Sequence, residues 1–203
     1  MRAKRLYLRG MEILYNALDA RYRGFREAAG NENTFQTVLS RVRREDTGLL
    51  YWAVAGGLAA YSIDVLDFDL ILRIPEWTAM ILRAYELDPD YNGAALDEFL
   101  LLFYASLPEP RGGDKERAKV HFQLALEKTG GNSAGAYVSY AETICIPEQD
   151  YETFRDYLER ALAIDPDADE TIRLVNIINQ RKAQWLLDNA WNYFSFLPIP
   201  DDY

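Results

Sequence analysis

The amino-acid sequence predicts an all-α protein built of stacked helix hairpins. Apolar residues recur at intervals of three and four along most of the chain, the spacing that places them on one face of an α-helix. No run of alternating apolar and polar residues lies between turn residues, as a β-strand would require. The tripeptide Asp-Pro-Asp follows a predicted helix twice, at residues 88–90 and at residues 165–167, which indicates repeated helix pairs.

The first 44 residues are predicted to form basic helices. Residues 2–29 fit one long helix that stops at Gly30-Asn31, and a shorter helix should follow over residues 34–44. Residues 1–44 hold ten Lys or Arg and four Asp or Glu, a net charge of +6, whereas the remaining 159 residues carry −16. A basic end on an acidic body predicts an N-terminus that faces an acidic partner or an anionic lipid surface. A solvated face of the first helices is the alternative interpretation.

A strongly apolar helix is predicted over residues 49–66, after a break at Thr47 and Gly48. Its glycines, Gly56 and Gly57, would each weaken an exposed helix by about 1 kcal/mol relative to alanine. We therefore expect this helix to be central and buried, with a neighbouring backbone in close approach at the glycines.

Proline and glycine mark the repeats that follow. A helix should begin at Ile74-Pro75, because proline is tolerated in a first helical turn, and end at the first Asp-Pro-Asp. The prolines of the two Asp-Pro-Asp endings lie 77 residues apart, and Gly130 divides this distance into 41 and 36. Tetratricopeptide (TPR) units are about 34 residues long, so residues 45–167 fit stretched TPR-like repeats with inserted loops. Trp77 is an exception, because it is bulky where such a repeat has a small residue.

The stretch from Leu107 to Glu142 is the clearest helix-loop-helix unit. Asp114 can accept hydrogen bonds from the free N–H groups of a helix start, and Gly130-Gly131 can end that helix. The facing residues of the two helices are Ala118, Phe122 and Ala125, and Tyr137, Tyr140 and Ala141. Their spacing of three and four turns an aromatic stripe of the second helix toward the first.

The C-terminal part should close the array. Residues 169–195 fit one long helix, which would cover the open end of the stacked hairpins. The tail over residues 194–203 contains two prolines and should pack as an extended arm or be loose. The predicted organisation is a single TPR-like helical domain over 1–203, with basic N-terminal helices (1–44), stretched repeats (45–167), and a C-terminal helix and tail (168–203).

Composition argues against several classes of protein. At 203 residues, of which 49% are hydrophobic, the chain can bury a sizeable core. A formal charge of −10 argues against nucleic-acid binding, which needs a basic footprint. No apolar run reaches the ~18 residues of a membrane span, and charged residues interrupt the start before a signal-peptide core can form.

No motif in the sequence predicts catalytic residues, a metal site or a cofactor. His121 is the only histidine and lacks further ligands at metal spacing, so a hydrogen-bonded core position is favoured. Cys145, the only cysteine, lies in an apolar stretch that favours a buried, unreactive thiol. The aspartates of residues 165–169 begin like a calcium loop but lack its glycine and its final glutamate. The glycines at 112–113 lack the GK[ST] of a phosphate-binding loop.

Aromatic residues are the most informative functional feature. The chain has 14 Tyr, 9 Phe and 4 Trp, and antiparallel helices can enclose an apolar channel edged by tyrosine hydroxyls. The candidates for the wall of such a channel are Trp52, Tyr61, Phe99, Phe103, Tyr104, Tyr137 and Tyr140. Core packing and subunit contact is the alternative interpretation for each of them. The segment from Ala95 to Tyr104 is apolar almost all round, so it should be deeply buried or lie at an interface, and we expect self-association.

A combination of residues also gives the chain a specific resemblance. It comprises Leu107-Pro108, Gly112-Gly113-Asp114, Ala118, His121-Phe122, Ala125, Gly130-Gly131, Tyr137-Val138, Tyr140-Ala141-Glu142, Asp165-Pro166-Asp167, Gln180-Arg181, Ala183 and Trp185-Leu186-Leu187. This series, over residues 95–194, resembles the T component of TPR-associated TRAP transporters, as does the opening Leu6-Tyr7-Leu8-Arg9.

The resemblance implies a periplasmic helical protein, often a lipoprotein, that pairs with the solute-binding (P) protein of a TRAP system. It also implies a homotrimer and an internal apolar channel for a hydrophobic ligand. Family members begin with an export signal or lipobox, which this sequence lacks. We therefore expect the export signal and any lipid anchor to belong to the full-length precursor.

The predicted function is that of a non-enzymatic accessory (T) subunit of a periplasmic TRAP-type transporter, which binds the P component and a hydrophobic organic ligand between its helices. The alternative is a generic TPR-like scaffold that binds peptide segments in a concave groove. An enclosed apolar space would favour the first, and an open, polar groove the second. An enzyme is disfavoured, because the sequence shows no nucleophile-base pair and no metal set.

Overall fold

The computed structural model describes residues 2–198. Every regular element in this range is helical, and 76% of the chain is in helices that pack against one another, which confirms the all-α prediction. The α-helices are α1 (Arg2–Arg21), α2 (Phe25–Ala28), α3 (Glu32–Leu39), α4 (Thr47–Ile63), α5 (Phe68–Ile71), α6 (Ile74–Leu87), α7 (Ala95–Ser106), α8 (Lys115–Thr129), α9 (Ala134–Tyr140), α10 (Ile146–Glu148), α11 (Tyr151–Ala163) and α12 (Arg173–Asp188).

The chain divides between Asn92 and Gly93 into two compact units, which we call the N-terminal unit and the C-terminal unit. The single domain over residues 1–203 stays a prediction. In the N-terminal unit, α4 packs against both α1 and α6, and α3 packs against α2 and α6. The large side chains that fill its interior are Met11, Tyr15, Leu18, Phe25, Phe35, Leu50, Trp77, Met80 and Ile81. The strongly apolar helix is therefore central and buried, as its composition predicts.

The first predicted helix is interrupted in the structure. The interpretation of residues 2–29 as one element is wrong, because Gly24 takes the left-handed conformation with φ of 87° and turns the chain after α1. α2 then begins at Phe25, whose fully buried ring packs edge-on against Phe35 with the ring centroids 5.2 Å apart. Burial of this ring explains a break that helical periodicity does not reveal.

The second predicted helix, over residues 34–44, is also too long. α3 ends at Leu39, and the guanidinium of Arg83 donates hydrogen bonds to the carbonyl oxygens of Ser40 and Val42, each at 3.1 Å. These carbonyls therefore find a side-chain donor in place of the N–H groups of a longer helix.

The predicted break at Thr47 and Gly48 is likewise wrong, because both residues belong to the first turn of α4. The hydroxyl of Thr47 donates to the carbonyl oxygen of Arg44 at 2.8 Å. A β-carbon on Gly48 would lie 2.8 Å from the hydroxyl oxygen of Tyr91, so this glycine is selected by a close tyrosine rather than by a turn.

The predicted close approach at the glycine pair of α4 is confirmed. A β-carbon on Gly56 would lie 3.3 Å from the backbone carbonyl oxygen of Tyr7 in α1. At Gly57 the neighbour is the indole ring of Trp77, which is fully buried. The bulky residue that does not fit the repeat pattern is therefore accommodated by a helix position that has no side chain.

In the C-terminal unit, α7 and α8 form a hairpin. α9 packs against α7, α8, α11 and α12, and α11 packs against α12. A carboxylate oxygen of Asp114 accepts from the backbone N–H of Arg117 at 3.0 Å, and Gly130 ends α8 with a φ of 57°, so both predicted caps are confirmed. After α9 the helix widens into a π-helical turn over Ala141–Cys145 and continues as α10.

The C-terminal helix is shorter than the predicted span of 169–195. A 3-10 turn over Pro166–Ala168 precedes it, and the carboxylate of Asp169 accepts from the backbone N–H of Thr171 at 2.9 Å. Local side-chain hydrogen bonds of this kind compete with helix formation, which delays the start of α12 to Arg173.

Beyond α12 the chain turns back into the unit. Phe194 is fully buried, and its ring centroid lies 4.9 Å from that of Phe154. The first part of the predicted tail is therefore packed, and residues 199–203 of that tail lie outside the described residues.

Candidate functional site

Four aromatic rings meet inside the C-terminal unit. The ring centroid of Phe122 lies 4.4 Å from Tyr140, 5.1 Å from Tyr157 and 6.0 Å from Tyr137. Tyr157 is also 5.3 Å from Tyr140 and 5.7 Å from Tyr137. These separations are those of favourable aromatic pairs. We call these four residues the aromatic cluster.

Helical spacing brings the aromatic cluster together. Tyr137 and Tyr140 are three residues apart on α9, so both rings can face Phe122 on α8, and α11 supplies Tyr157. Phe122 and Tyr137 are buried, whereas Tyr140 and Tyr157 are partly exposed. The aromatic cluster therefore runs from the core of the unit toward solvent.

The helix that carries Tyr140 changes geometry directly after it, at the π-helical turn. Widened turns of this kind occur frequently at functional sites. The thiol of Cys145 in this turn is buried, as its apolar sequence context predicts, and burial raises its pKa to about 12. Burial also raises the pKa of Tyr140 to about 12, so its hydroxyl remains protonated at neutral pH.

A second row of aromatic residues lies on α7. The rings of Phe99 and Phe103 stack with centroids 6.5 Å apart, and Phe103 meets Tyr104 at 5.5 Å. Tyr104 stacks on the imidazole of His121 at 5.7 Å, and the guanidinium of Arg117 lies 5.6 Å from the same tyrosine ring. Phe103 and Tyr104 are buried and Phe99 is partly exposed, so most of this apolar helix is covered.

A fully buried carboxylate, Asp97, lies on the same helix. One of its oxygens is 2.8 Å from Nδ1 of His121, and the other is 2.7 Å from Nζ of Lys128. Removing a carboxylate from water is costly, and these close partners offset that cost. His121 is therefore a hydrogen-bonded structural residue, as its sequence context predicts.

The next residue, Glu98, has a different environment. Its carboxylate accepts a hydrogen bond from the hydroxyl of Ser133 at 2.5 Å and forms no ion pair within the described residues. Burial raises the pKa of Glu98, the charge of Asp97 adds to this rise, and the hydrogen bond from Ser133 opposes it. Glu98 therefore keeps its proton to a higher pH than an exposed glutamate does.

The C-terminal helix is joined to the site by the side-chain amides of Asn176, which is buried, and Gln180, which is partly exposed. The side-chain oxygen of Asn176 accepts from the backbone N–H of Ala134 at 3.0 Å, and its nitrogen donates to the carbonyl oxygen of Asn132, also at 3.0 Å. Gln180 donates to the carbonyl oxygen of Ile164 at 2.7 Å, just beyond the end of α11. α12 is therefore fixed against the two helices that carry three rings of the aromatic cluster.

Two of the predicted channel residues, Trp52 and Tyr61, lie in the N-terminal unit on α4. Trp52 is 56% exposed, and its ring meets Tyr51 edge-on with centroids 5.0 Å apart. Tyr61 is buried. The other five candidates belong to the C-terminal unit, where Tyr137 and Tyr140 join the aromatic cluster. Those on the α7 row are Phe99, Phe103 and Tyr104.

An open cleft of about 630 Å³ lies in the N-terminal unit. Its lining consists of Arg21, Tyr22, Arg41, Arg43, Glu45 and Asp46. The buried carboxylate of Asp46 pairs with Arg21 and accepts from the hydroxyl of Tyr22 at 2.5 Å. The side chains of Arg41 and Arg43 are exposed and form no ion pair within residues 2–198, so the cleft presents two guanidinium groups to an incoming anion.

These sites offer the chemistry of binding. No group of three or more His, Cys, Asp and Glu residues in the described part of the chain is placed to hold a metal ion. Among residues 2–198, none of the helices has both the length and the apolar character needed to cross a bilayer. The C-terminal unit provides aromatic rings for contact with an apolar group, and the N-terminal unit provides the guanidinium groups of the cleft for contact with an anion.

Sequence reasoning missed two members of the site. Tyr157 follows Phe154 by three residues and precedes Ala161 by four, so helical spacing alone could have placed it on the inner face of α11. Asp97 and Lys128 form an ion pair although they lie 31 positions apart on two helices, so no pattern of neighbouring residues could predict it.

Two comparisons with known proteins fit this architecture. The family model described as "TRAP transporter T-component" matches residues 1–194. A protein of Treponema pallidum (strain Nichols), described as an uncharacterized protein, is 35% identical over 195 residues. That match covers 95% of this chain and 60% of the relative, so the chain spans about three fifths of the length of the relative.

Proposed function

The chain belongs to the family of TRAP transporter T-components, which are accessory subunits, and we propose that it binds the solute-binding (P) protein of its TRAP system. The family match over residues 1–194 is the observation that carries this proposal. T-components are not known as enzymes, and the buried, protonated Cys145 and the paired His121 suit a binding protein. The partner and the ligand are both part of the proposal.

The proposed ligand is a hydrophobic organic molecule held beside the aromatic cluster. Supporting this, two of its four rings are partly exposed, and a π-helical turn begins next to Tyr140. Phe99, Phe103 and Tyr104 on α7 would supply further apolar surface, and Trp52 and Tyr61 are proposed as channel residues of the N-terminal unit. Aromatic rings offer an apolar ligand a large contact area with little loss of side-chain entropy on binding.

We place the protein outside the cytoplasm, in the periplasm, with lipid anchoring in its full-length precursor. A T-component is consistent with an extracytoplasmic location. We also propose a homo-oligomer, a trimer in accordance with the family resemblance. Support from the chain itself is the exposed apolar side of α12, formed by Leu174, Ile178 and Trp185, which a second copy could cover.

A pull-down with the solute-binding protein of the same TRAP system tests the proposed partnership. The chain is immobilised, and the solute-binding protein is offered with and without its own solute. Retention that competes with unlabelled chain is the expected result. Failure to retain a folded solute-binding protein in either state would contradict the proposal, and a solute-binding protein from an unrelated TRAP system serves as the control.

The open cleft favours a second candidate function, a scaffold that binds acidic peptide segments. It is polar and open, as a peptide groove requires, and Arg41 and Arg43 can each pair with a carboxylate. Replacing both arginines with glutamine should abolish binding of an acidic peptide if this function holds. Arg23→Gln, an exposed arginine outside the lining of the cleft, is the matched control.

A further inference from the structure

The connection between α4 and α6 carries an unusual set of side chains. Leu66, Phe68 and Leu72 are 78%, 77% and 76% exposed, which makes them the three most exposed large apolar residues of the described chain. Single apolar residues scattered over a surface are ordinary, but three within seven positions form a patch that marks an interaction site. We call these three residues the apolar tip.

The apolar tip is held in a defined shape. A carboxylate oxygen of Asp67 caps α5 by accepting from the backbone N–H groups of Asp69 at 3.0 Å and Leu70 at 3.3 Å. Lys4 donates to Asp64 at 2.7 Å and to Asp67 at 2.5 Å, and the side chain of Leu70 is buried beneath. The exposed side chains therefore project from a capped helical turn. Because this turn is already ordered, binding does not incur the entropy cost of ordering a loop.

The same ion pairs bring a basic helix start beside the apolar tip. Lys4 belongs to the first turn of α1, and Arg2, Arg5 and Arg9 on this helix are exposed and form no ion pair within residues 2–198. Of the acidic groups nearby, Lys4 pairs with Asp64 and Asp67, which leaves Asp69 as the exposed carboxylate of α5. This end of the N-terminal unit therefore combines apolar projections with unpaired guanidinium groups.

We propose that this end of the N-terminal unit docks on an anionic phospholipid surface. The apolar tip would enter the boundary between headgroups and acyl chains, and the guanidinium groups of α1 would pair with lipid phosphates. The local charge favours this occupant: with Lys4 paired to Asp64 and Asp67, the exposed arginines Arg2, Arg5 and Arg9 outnumber the one remaining exposed carboxylate, Asp69, so an anionic surface attracts this end. The inference does not depend on the proposed binding of a solute-binding protein.

Flotation of the full chain with lipid vesicles tests the proposal. The vesicles are either phosphatidylglycerol mixed with phosphatidylethanolamine, or phosphatidylcholine alone. We expect binding to the anionic vesicles that weakens as salt is added, and weaker binding to phosphatidylcholine. The double variant Leu66→Ser with Phe68→Ser should bind at least about tenfold more weakly, because it loses two inserted apolar side chains.

The matched control is Val120→Ser with Phe196→Ser, which removes two exposed apolar side chains from the C-terminal unit. It should bind vesicles within about twofold of the unmodified chain. All four positions are exposed, and circular dichroism of each variant checks that the helices are retained. Absence of binding to anionic vesicles, or equal loss in both double variants, would overturn the proposal.

A labelled side chain gives an independent measurement. Because Cys145 is buried, Leu66→Cys can be labelled selectively with the environment-sensitive fluorophore NBD. NBD at position 66 should brighten when anionic vesicles are added, whereas NBD on Val120→Cys should not. If position 66 stays dark with vesicles and brightens only with a solute-binding protein, the apolar tip is a protein-docking surface and the lipid proposal is wrong.

Discussion

Trp77 packs its indole ring so closely on Gly57 that a β-carbon at this glycine would lie 2.5 Å from Cζ2 of the ring. A glycine in a helix interior and a tryptophan where a repeat has a small residue each depart from an expected helix pattern. Their contact explains both. A glycine in the middle of α4 creates the space, and a tryptophan at the start of α6 fills it, so the largest buried side chain of the described chain sits against a helix backbone.

Replacing Gly57 with alanine should destabilise the N-terminal unit. The new methyl group would overpack the interface by roughly 1–3 kcal/mol, which the better helix propensity of alanine offsets by at most about 1 kcal/mol. Urea denaturation measures the difference. Gly10→Ala on α1 is the matched control, because nothing lies within 4 Å of its β-carbon, and it should raise stability by about 0.5–1 kcal/mol. Equal effects of the two substitutions would refute this packing.

Replacing Asn176 with alanine should loosen α12. The substitution leaves the buried backbone N–H of Ala134 and the carbonyl oxygen of Asn132 without their present partner, at a cost of about 1–3 kcal/mol for an unsatisfied buried group. Thermal unfolding measures this loss. Gln184→Ala on the exposed side of the same helix removes only a hydrogen bond to Asp188, so a similar loss in that variant would contradict the role of Asn176.

Replacing Glu98 with glutamine should change how stability depends on pH. Because burial raises the pKa of Glu98 in the folded state, its contribution is fully present below the unfolded pKa and is lost as pH rises through the folded pKa. The unmodified chain should therefore lose stability relative to Glu98→Gln as the pH rises from below about 4, the range where an ordinary glutamate titrates.

Denaturation at a series of pH values measures this difference. Gln123→Ala on the exposed side of α8 leaves every carboxyl group in place and should keep the pH dependence of the unmodified chain. Parallel curves for Glu98→Gln and the unmodified chain would show that Glu98 titrates alike in the folded and unfolded states.

Replacing Tyr140 with alanine should weaken binding of an apolar ligand more than it weakens folding. Tyr140 contributes the partly exposed ring closest to Phe122, so its loss removes contact area from the proposed ligand site. The fluorescent probe 1-N-phenylnaphthylamine reports binding, and we expect a several-fold weaker titration. Tyr7→Ala on α1 is the control, and unchanged probe binding by a well-folded Tyr140→Ala would contradict the site.

Features encoded by neighbouring residues could be predicted from the sequence. Asp114 and Gly130 mark the ends of α8 because caps depend on residues within one turn, and Phe122, Tyr137 and Tyr140 face each other because helical spacing fixes which side chains share a face. The same local reasoning gave the start of α6 at Ile74-Pro75.

Features that depend on distant residues could not be predicted. The break at Gly24 exists because Phe25 is buried against Phe35, and the early end of α3 involves Arg83, which is 43 positions from Ser40. The exposure of the apolar tip could not be predicted from the spacing of apolar residues either. Its residues are as apolar as those of a core helix, and what holds them on the surface is the contact of Lys4 with Asp64 and Asp67 from a helix 60 positions away, together with the burial of Leu70.

The most direct test of the central claim, that this T-component binds a solute-binding protein, is a calorimetric titration of the full chain with the solute-binding protein of its own TRAP system. The account predicts saturable heat with a fixed stoichiometry and a dissociation constant in the micromolar range or tighter. A titration that shows no heat and no complex by light scattering, with both proteins folded and well above micromolar concentration, would contradict it.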